Sequence, residues 1–201
     1  MILVDAGDWL HLSALANLVS AAKEQCADIV TCDYNVVLGD NVIRYYRKIA
    51  GVRTEDFLNS YLAYGMASSC GCLIRKNVCV NNNLSFTIGV KYGEDMCFMG
   101  QLLFSSEKKY HLKEAYYNYL QRSTSLTHNF NRETRANEIH VCQYLITFYK
   151  ANGVGEHYEQ IMSWKLLKST QELVLSPENH KGFVDLRSEI KNDDMGLPFD
   201  K

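Results

Sequence analysis

The chain has 201 residues, of which 47% are hydrophobic and 22% charged, and its net charge is −2 at neutral pH. These values are typical of a soluble globular protein with one medium domain, or one domain and an appendage. They give no electrostatic reason to expect nucleic-acid binding, which requires a clustered basic face. No stretch approaches the roughly 20 apolar residues of a membrane span, and no targeting segment is visible.

The seven cysteines are an odd number without a paired framework. An odd count with no secretion signal predicts free thiols in a reducing compartment. Only Cys70 and Cys72 are close in sequence, and no second pair or matching histidines complete a zinc site. We therefore expect buried thiols and a cytoplasmic protein, with a peripheral position at the inner face of the membrane left open.

The first part of the chain predicts alternating strands and helices. Residues 1–4 form an apolar run typical of a buried strand, and residues 10–25 carry apolar side chains at helical spacing. Residues 27–37 predict a second strand, which a turn at 38–41 connects to residues 42–48 as a hairpin.

The middle of the chain continues this alternation. Thr54-Glu55-Asp56 predicts a helix start, residues 70–74 a short strand and residues 85–90 an extended piece. Gly93-Glu94-Asp95 predicts the start of another helix, and residues 110–120 a strand pair.

The last part of the chain has a different character. Residues 133–150 and 156–175 predict two amphipathic helices. The expected fold is α/β, with a mixed sheet and flanking helices over residues 1–130 and a helical C-terminal extension over residues 131–201.

Asp5 and Asp8 are the first candidate site. Asp5 follows the opening apolar run, and ligands bind at the carboxyl edge of open α/β sheets. Two carboxylates on one turn could hold Mg²⁺ or Mn²⁺, which prefer oxygen ligands shared with substrate phosphates. The alternative is structural, with Asp8 capping the next helix and Asp5 merely ending a strand.

Two further candidate sites have structural alternatives that the residues favour when each motif is taken alone. Glu94 and Asp95 could supply a general base, or could simply stabilise the N-terminal end of a helix dipole. Arg122 and Ser125 could bind a diphosphate through charge-assisted hydrogen bonds, or could belong to a solvated loop after a strand.

Taken in order, these segments resemble the later half of a family 2 glycosyltransferase of the GT-A fold. Such proteins carry an acidic Asp-Ser-Asp-Asp-Trp-like turn, a Glu-Asp-x-x-Phe motif and a Tyr-x-Tyr-Arg-x-x-x-Ser-like stretch. The matching segments here are Val4-Asp5-Ala6-Gly7-Asp8-Trp9-Leu10, Tyr92-Gly93-Glu94-Asp95-Met96-Cys97-Phe98 and Tyr117-Asn118-Tyr119-Leu120-Gln121-Arg122 with Ser125. The resemblance covers about residues 2–129.

The resemblance implies inverting transfer of a sugar from a nucleotide-diphosphate donor to an acceptor hydroxyl, in polysaccharide or glycolipid synthesis. Asp95 would match the family's base, with Glu94 beside it positioning the acceptor. A divalent metal, Mn²⁺ or Mg²⁺, near Asp5 and Asp8 would neutralise the leaving diphosphate. The implied partners are the nucleotide-sugar donor and a carbohydrate or lipid-linked acceptor, and no nucleic acid.

Two departures from the family pattern bear on activity. Gly7 stands where the second acid of an Asp-x-Asp pattern would be, so Asp8 would have to replace it. The family's opening strand–helix–strand unit, which holds the base and ribose, has no counterpart here, which predicts weak donor binding. The alternative is a non-catalytic remnant that binds an acceptor or a protein, and its exposed sheet edge leaves homo-oligomers open.

Overall fold

The computed structural model describes residues 1–45, 68–122, 132–153 and 156–175, in two compact units. The first unit comprises Met1–Ser85 and Phe98–Asn129, and the second comprises Phe86–Cys97 and Phe130–Lys201. The helix start predicted at Thr54 lies outside the described residues.

The first unit contains a five-stranded mixed sheet, as the sequence predicts. Its spatial order is β1-β5-β2-β3, and β4 pairs with the first residues of β2. β2 and β5 are parallel, whereas the other pairings are antiparallel. The strands are β1 (Trp9–Leu10), β2 (Ile29–Leu38), β3 (Asn41–Tyr45), β4 (Leu73–Ile74) and β5 (Lys109–Leu120).

Five helices are described, and four of them match the predicted ones to within a few residues. The long C-terminal pair begins and ends almost where the apolar periodicity predicts. The helices are α1 (Ala14–Glu24), α2 (Lys76–Asn81), α3 (Glu94–Ser105), α4 (Arg132–Ala151) and α5 (Glu156–Leu175). None of the described helices is both long enough and apolar enough to cross a membrane.

The core of the first unit lies between α1 and one face of the sheet. The inner face of α1 presents side chains spaced as in an amphipathic helix, and alternate residues of β2 point toward them. The buried members of this cluster are Ala14, Leu18, Ala21, Ala27, Val30, Cys32, Tyr34, Val36, Cys70 and Tyr117.

The second unit is built on the packing of α4 and α5. Val141, Leu145 and Tyr149 on α4 are fully buried, and so is Met162 on α5. Cys142 is also buried, and the loss of hydration raises the pKa of its thiol to about 12. Six of the seven cysteines are buried and all seven are free thiols, which confirms the sequence prediction.

The structure corrects several local predictions. Ile2 and Leu3 each form one isolated bridge, to Leu73 and Cys70, in opposite senses, so residues 1–4 are not a strand. Residues 9–10 pair with β5 instead of opening α1. Residues 110–120 belong to one strand, because β5 runs unbroken beside β2. Residues 85–90 contain no strand, and α2 is a helix that the sequence did not predict.

Candidate functional site

The Asp5–Asp8 segment is a tight turn closed by its own backbone. The Asp8 N–H donates to the Asp5 carbonyl over 3.0 Å. Gly7 occupies the third position with φ of +100°, a conformation that glycine adopts without the steric cost of a Cβ atom. The glycine that replaces the expected acid is therefore required by the turn itself.

Tyr117 on β5 binds both ends of this turn. Its hydroxyl donates to Asp8 Oδ2 over 2.5 Å and accepts from the Asp5 N–H over 3.2 Å. Tyr117 is almost fully buried, and burial is the main cause that raises the pKa of its hydroxyl, with the Asp8 hydrogen bond adding to it. The phenol therefore stays protonated and keeps donating to Asp8.

Asp8 also accepts a backbone hydrogen bond from the end of β5. The Leu120 N–H donates to Asp8 Oδ1 over 2.9 Å, so each carboxylate oxygen of Asp8 has a protein donor. Asp8 does not cap α1, whose N-cap residue is Ser13, so the capping alternative is wrong. Asp8 instead fixes the acidic turn against β5.

Arg122 follows directly after β5 and lies over the turn. A Cβ atom added at Gly7 would come within 2.6 Å of the Arg122 guanidinium. Gly7 therefore serves two purposes, since it permits the left-handed backbone and leaves room for the guanidinium. The first and third of the sequence-predicted motifs meet here, at a separation of more than 110 residues.

The turn lies at the carboxyl edge of the parallel pair. β5 ends at Leu120 beside the end of β2, and the Gln121 N–H donates to the Val37 carbonyl over 3.0 Å. This is the edge at which ligands bind in open α/β sheets. The acidic turn therefore lies at this edge, although residues 1–4 do not reach it as a strand.

Asp5 supplies an exposed carboxylate on this turn. Among the described residues, no three or more His, Cys, Asp or Glu side chains come together as a metal site. The residues present nevertheless fit Mg²⁺ or Mn²⁺, which often bind through one or two carboxylates, waters and substrate phosphates. Asp5 is the more accessible of the two carboxylates, because each oxygen of Asp8 already accepts a hydrogen bond.

Glu94 and Asp95 form the first turn of α3, as predicted, and both are half-buried. The first helical bond runs from the Cys97 N–H to the Gly93 carbonyl over 3.0 Å. Gly93 has φ of +83°, and a Cβ atom there would lie 3.4 Å from Val141 on α4. Val141 is thus an ordinary van der Waals neighbour of the residue before α3. Ser125 lies outside the described residues.

A buried polar network on β2 and β5 was missed by the sequence analysis. His111 Nε2 lies 3.2 Å from Asp33 Oδ1, and His111 Nδ1 lies 2.9 Å from Thr31 Oγ1. Arg44 on β3 places a guanidinium nitrogen 3.7 Å from Asp33 Oδ2. The available signal was the alternation of the polar residues Thr31, Asp33 and Asn35 with apolar residues along β2.

Comparison with solved structures shows the nature of the fold. The chain resembles the crystal structure of residues 1–349 of the glycosyltransferase TarS from S. aureus in complex with UDP-GlcNAc, with a TM-score of 0.66 and 18% sequence identity. The fold is glycosyltransferase-like. The match covers 92% of this chain and 53% of TarS 1–349.

Two other crystal structures of the same S. aureus protein also match. The structure of TarS 1–349 without a named ligand gives a TM-score of 0.63 at 16% identity, covering 94% of this chain and 52% of that one. The complex with UDP gives 0.57 at 15% identity, with the same coverage. This chain thus spans about half the length of the structures it matches. Neither protein-family models nor curated proteins match the sequence.

Proposed function

We propose that this chain takes part in transferring a sugar from a nucleotide-diphosphate donor to an acceptor hydroxyl in polysaccharide or glycolipid synthesis. The observation that carries the proposal is the meeting of Arg122 with the acidic turn at the carboxyl edge of the sheet. A guanidinium and a carboxylate on one small surface suit a diphosphate, since the first binds phosphate directly and the second binds it through a metal. The UDP-GlcNAc and UDP complexes of the S. aureus neighbour support this class of ligand.

The residues around the acidic turn have different proposed roles, which follow from their surroundings. Arg122 binds phosphate oxygens, and Asp5, assisted by Asp8, holds Mn²⁺ or Mg²⁺. Asp8 and Tyr117 keep the turn in place, which fixes the diphosphate before reaction. The bound metal would stabilise negative charge on the departing diphosphate.

Asp95 is the proposed general base and Glu94 the residue that positions the acceptor. A carboxylate in this role removes the proton from the acceptor hydroxyl as that oxygen attacks the anomeric carbon of the donor. The bond between the anomeric carbon and the diphosphate oxygen breaks at the same time, and the diphosphate leaves with the electron pair. Attack opposite the leaving group inverts the anomeric configuration.

Donor binding is tested by titrating the protein with UDP and UDP-GlcNAc, with and without Mn²⁺, and following the heat of binding by calorimetry. We expect weak, Mn²⁺-enhanced binding, with a dissociation constant of about 1 mM, equivalent to about 4 kcal/mol. Asp5→Asn should remove the Mn²⁺ enhancement, because the amide keeps the shape and loses the charge. Arg122→Gln should weaken binding with or without the metal.

The matched control is Arg132→Gln, which changes the same residue type at the start of α4. Equal binding by Arg122→Gln, Arg132→Gln and the wild type would contradict the diphosphate assignment. Asp95→Asn should bind UDP as the wild type does and lose transfer, which separates the role of the base from donor binding.

A non-catalytic binding role is the second candidate, and one observation favours it. Trp164 and Leu167 on α5 lie one turn apart and are 61% and 57% exposed. The Lys168 ammonium lies 5.9 Å from the centre of the Trp164 ring. Exposed aromatic side chains next to a cation are typical of interaction surfaces. A folded protein that binds neither UDP nor UDP-GlcNAc under any of these conditions would favour this role.

A further inference from the structure

A groove of about 460 Å³ lies in the first unit, away from the acidic turn. Its walls are the C-terminal half of α1, the strand β4 and the segments before β2 and α2. The volume is within the range of ligand pockets, about 300–1,000 Å³. The lining residues are Met1, Val19, Ala22, Lys23, Cys26, Ala27, Asp28, Leu73, Ile74, Arg75 and Lys76.

The groove and the acidic turn lie at opposite ends of the sheet. β4 pairs with Ile29 and Val30 at the start of β2, whereas the turn is bonded to β5 at Leu120, opposite Val37. Eight residues of extended strand span about 26 Å at about 3.3 Å per residue. A ligand in the groove therefore does not occupy the proposed donor site.

The groove joins an apolar floor to a cationic rim. Val19, Ala22, Leu73 and Ile74 supply aliphatic side chains to the floor. The apolar surface continues along α1 to Leu15, which is 52% exposed. Because a helix rises about 1.5 Å per residue, the strip from Leu15 to the end of α1 is about 14 Å long.

The one lining carboxylate is already neutralised within the fold. Asp28 Oδ1 lies 2.9 Å from Arg75 Nε, and Asp28 Oδ2 accepts from the N–H groups of Glu107 and Lys108. Lys23 and Lys76 line the same groove and are exposed. With Arg75 and Asp28 paired, the side chains of the two lysines leave a formal excess of two positive charges, to which the Met1 ammonium adds, in a protein whose net charge is −2.

We propose that this groove binds a single anionic amphiphile, an aliphatic chain carrying a phosphate or carboxylate head. The chain lies on the apolar floor and along α1, and the head lies between Lys23 and Lys76. An apolar lining with a few charged groups at one side is the usual design of a site that orients such a ligand. The site is independent of the proposed sugar transfer and stands whether or not the acidic turn binds a diphosphate.

Cys26 gives a direct readout of the groove. It lines the groove and is the one exposed thiol among the seven cysteines, all of which lie in the described residues. In the folded protein, rapid reaction with Ellman's reagent therefore reports on Cys26, and Cys26→Ser should abolish the rapid phase. A bound ligand covers this thiol and slows the reaction.

Three probes distinguish the contribution of the aliphatic chain from that of the anionic head. The two detergents among them are used below their critical micelle concentrations. Dodecyl phosphate should protect Cys26 saturably. Dodecyl maltoside, with the same chain and a neutral head, and inorganic phosphate, with no chain, should each need at least tenfold higher concentration. Equal protection by dodecyl maltoside, or no protection by dodecyl phosphate, would overturn the proposal.

Two exposed-residue variants test the cationic rim. Lys23→Gln combined with Lys76→Gln should raise the dissociation constant for dodecyl phosphate at least tenfold. For each variant, the rate at which Cys26 reacts with Ellman's reagent is compared with the rate of the same variant without ligand. Lys113→Gln, an exposed lysine on β5, is the matched control and should bind as the wild type does. Unchanged affinity in the double variant would overturn the assignment of the head. Flotation with phosphatidylglycerol vesicles, without any response to monomeric dodecyl phosphate, would assign the surface to a membrane instead.

Discussion

Cys26 adopts a backbone conformation that normally belongs to glycine. It follows α1 with φ of 51°, and it lies within two hydrogen bonds that end the helix. The Ala27 N–H donates to the Ala22 carbonyl and the Cys26 N–H to the Lys23 carbonyl, which is the Schellman arrangement. Asn83 occupies the equivalent position after α2 with φ of 52°, and asparagine tolerates this conformation better.

We expect Cys26→Gly to stabilise the protein. Removing the Cβ atom relieves about 1–2 kcal/mol of left-handed strain, and the added freedom of the unfolded chain takes back about 0.4–1 kcal/mol. The net gain should be about 0.5–1 kcal/mol in the free energy of urea unfolding. Cys26→Ala retains a Cβ atom and should give no such gain. A glycine variant no more stable than the alanine variant would show that the position is unstrained.

Asp8 shows how far a residue's role depends on distant partners. The sequence indicates a metal ligand or a helix cap, but the carboxylate bonds to Tyr117, which is 109 residues away in the chain. Neighbouring residues contain no trace of that contact. The position of Arg122 over Gly7 could not be predicted from the sequence either. The acidic turn itself could, because its small and acidic residues are adjacent in the chain.

Among the elements, β5 has the most irregular pairing. Cys32 of β2 lies opposite Leu112, Asp33 opposite Ala115 and Tyr34 opposite Tyr117, so β5 carries extra residues at both steps. Bulges of this kind bend a strand and redirect its side chains. The Thr31–His111–Asp33 network lies immediately before and within the irregular stretch. Together with the hydrogen bond from Asn35 to Asn118, it links the two parallel strands through side chains as well as through the backbone.

We expect His111→Leu to destabilise the protein by about 2–3 kcal/mol, because the buried Asp33 carboxylate loses a hydrogen-bonding partner. The free energy of urea unfolding, followed by circular dichroism, measures the effect. Lys113→Ala, two residues along the same strand but exposed, should change stability by less than about 0.5 kcal/mol. If the two variants differ from wild type by the same amount, the network contributes nothing specific to the sheet.

Most elements with long apolar patterns were predictable, and so were the short strands β3 and β4, but β1 and α2 were not. β2, α1, α3, α4 and α5 each present an apolar pattern over ten or more residues, which decides between helix and strand. β1 has two residues, and its pairing depends on β5, which is more than 100 residues away in the chain. α2 has six residues and lacks a capping hydrogen bond, so the sequence offered little to recognise.

At the scale of the whole molecule, the stability of the fold depends on pH through a buried lysine, Lys109. Lys109 begins β5 and is 4% exposed, and its ammonium donates to the Ser106 carbonyl. Burial lowers the pKa of Lys109 from 10.5 to about 8, although the Asp28 carboxylate acts in the opposite direction. The fold therefore disfavours the charged form, since the ammonium loses hydration that nearby groups only partly replace.

This shift predicts how stability changes with pH. Between pH 8 and 10.5 the unfolded chain holds more protons at Lys109 than the folded protein, so the free energy of unfolding rises with pH in that window. The difference between the two pKa values of Lys109 changes the free energy of unfolding by about 3 kcal/mol across this window, at about 1.4 kcal/mol per pKa unit. Below pH 8 the cost of the buried charge is present in full, and the contribution no longer depends on pH.

We expect the stability of the Lys109→Met variant to lack the pH dependence that Lys109 causes between pH 8 and 10.5. Burial also lowers the pKa of Lys165, and tyrosines and cysteines titrate in the same range, so the informative quantity is the difference between variant and wild type. Urea unfolding at intervals from pH 7 to 10.5 should give curves that converge as pH rises, because only the wild type recovers the cost of the buried ammonium. Curves that stay parallel would mean that Lys109 titrates alike in the folded and unfolded chains.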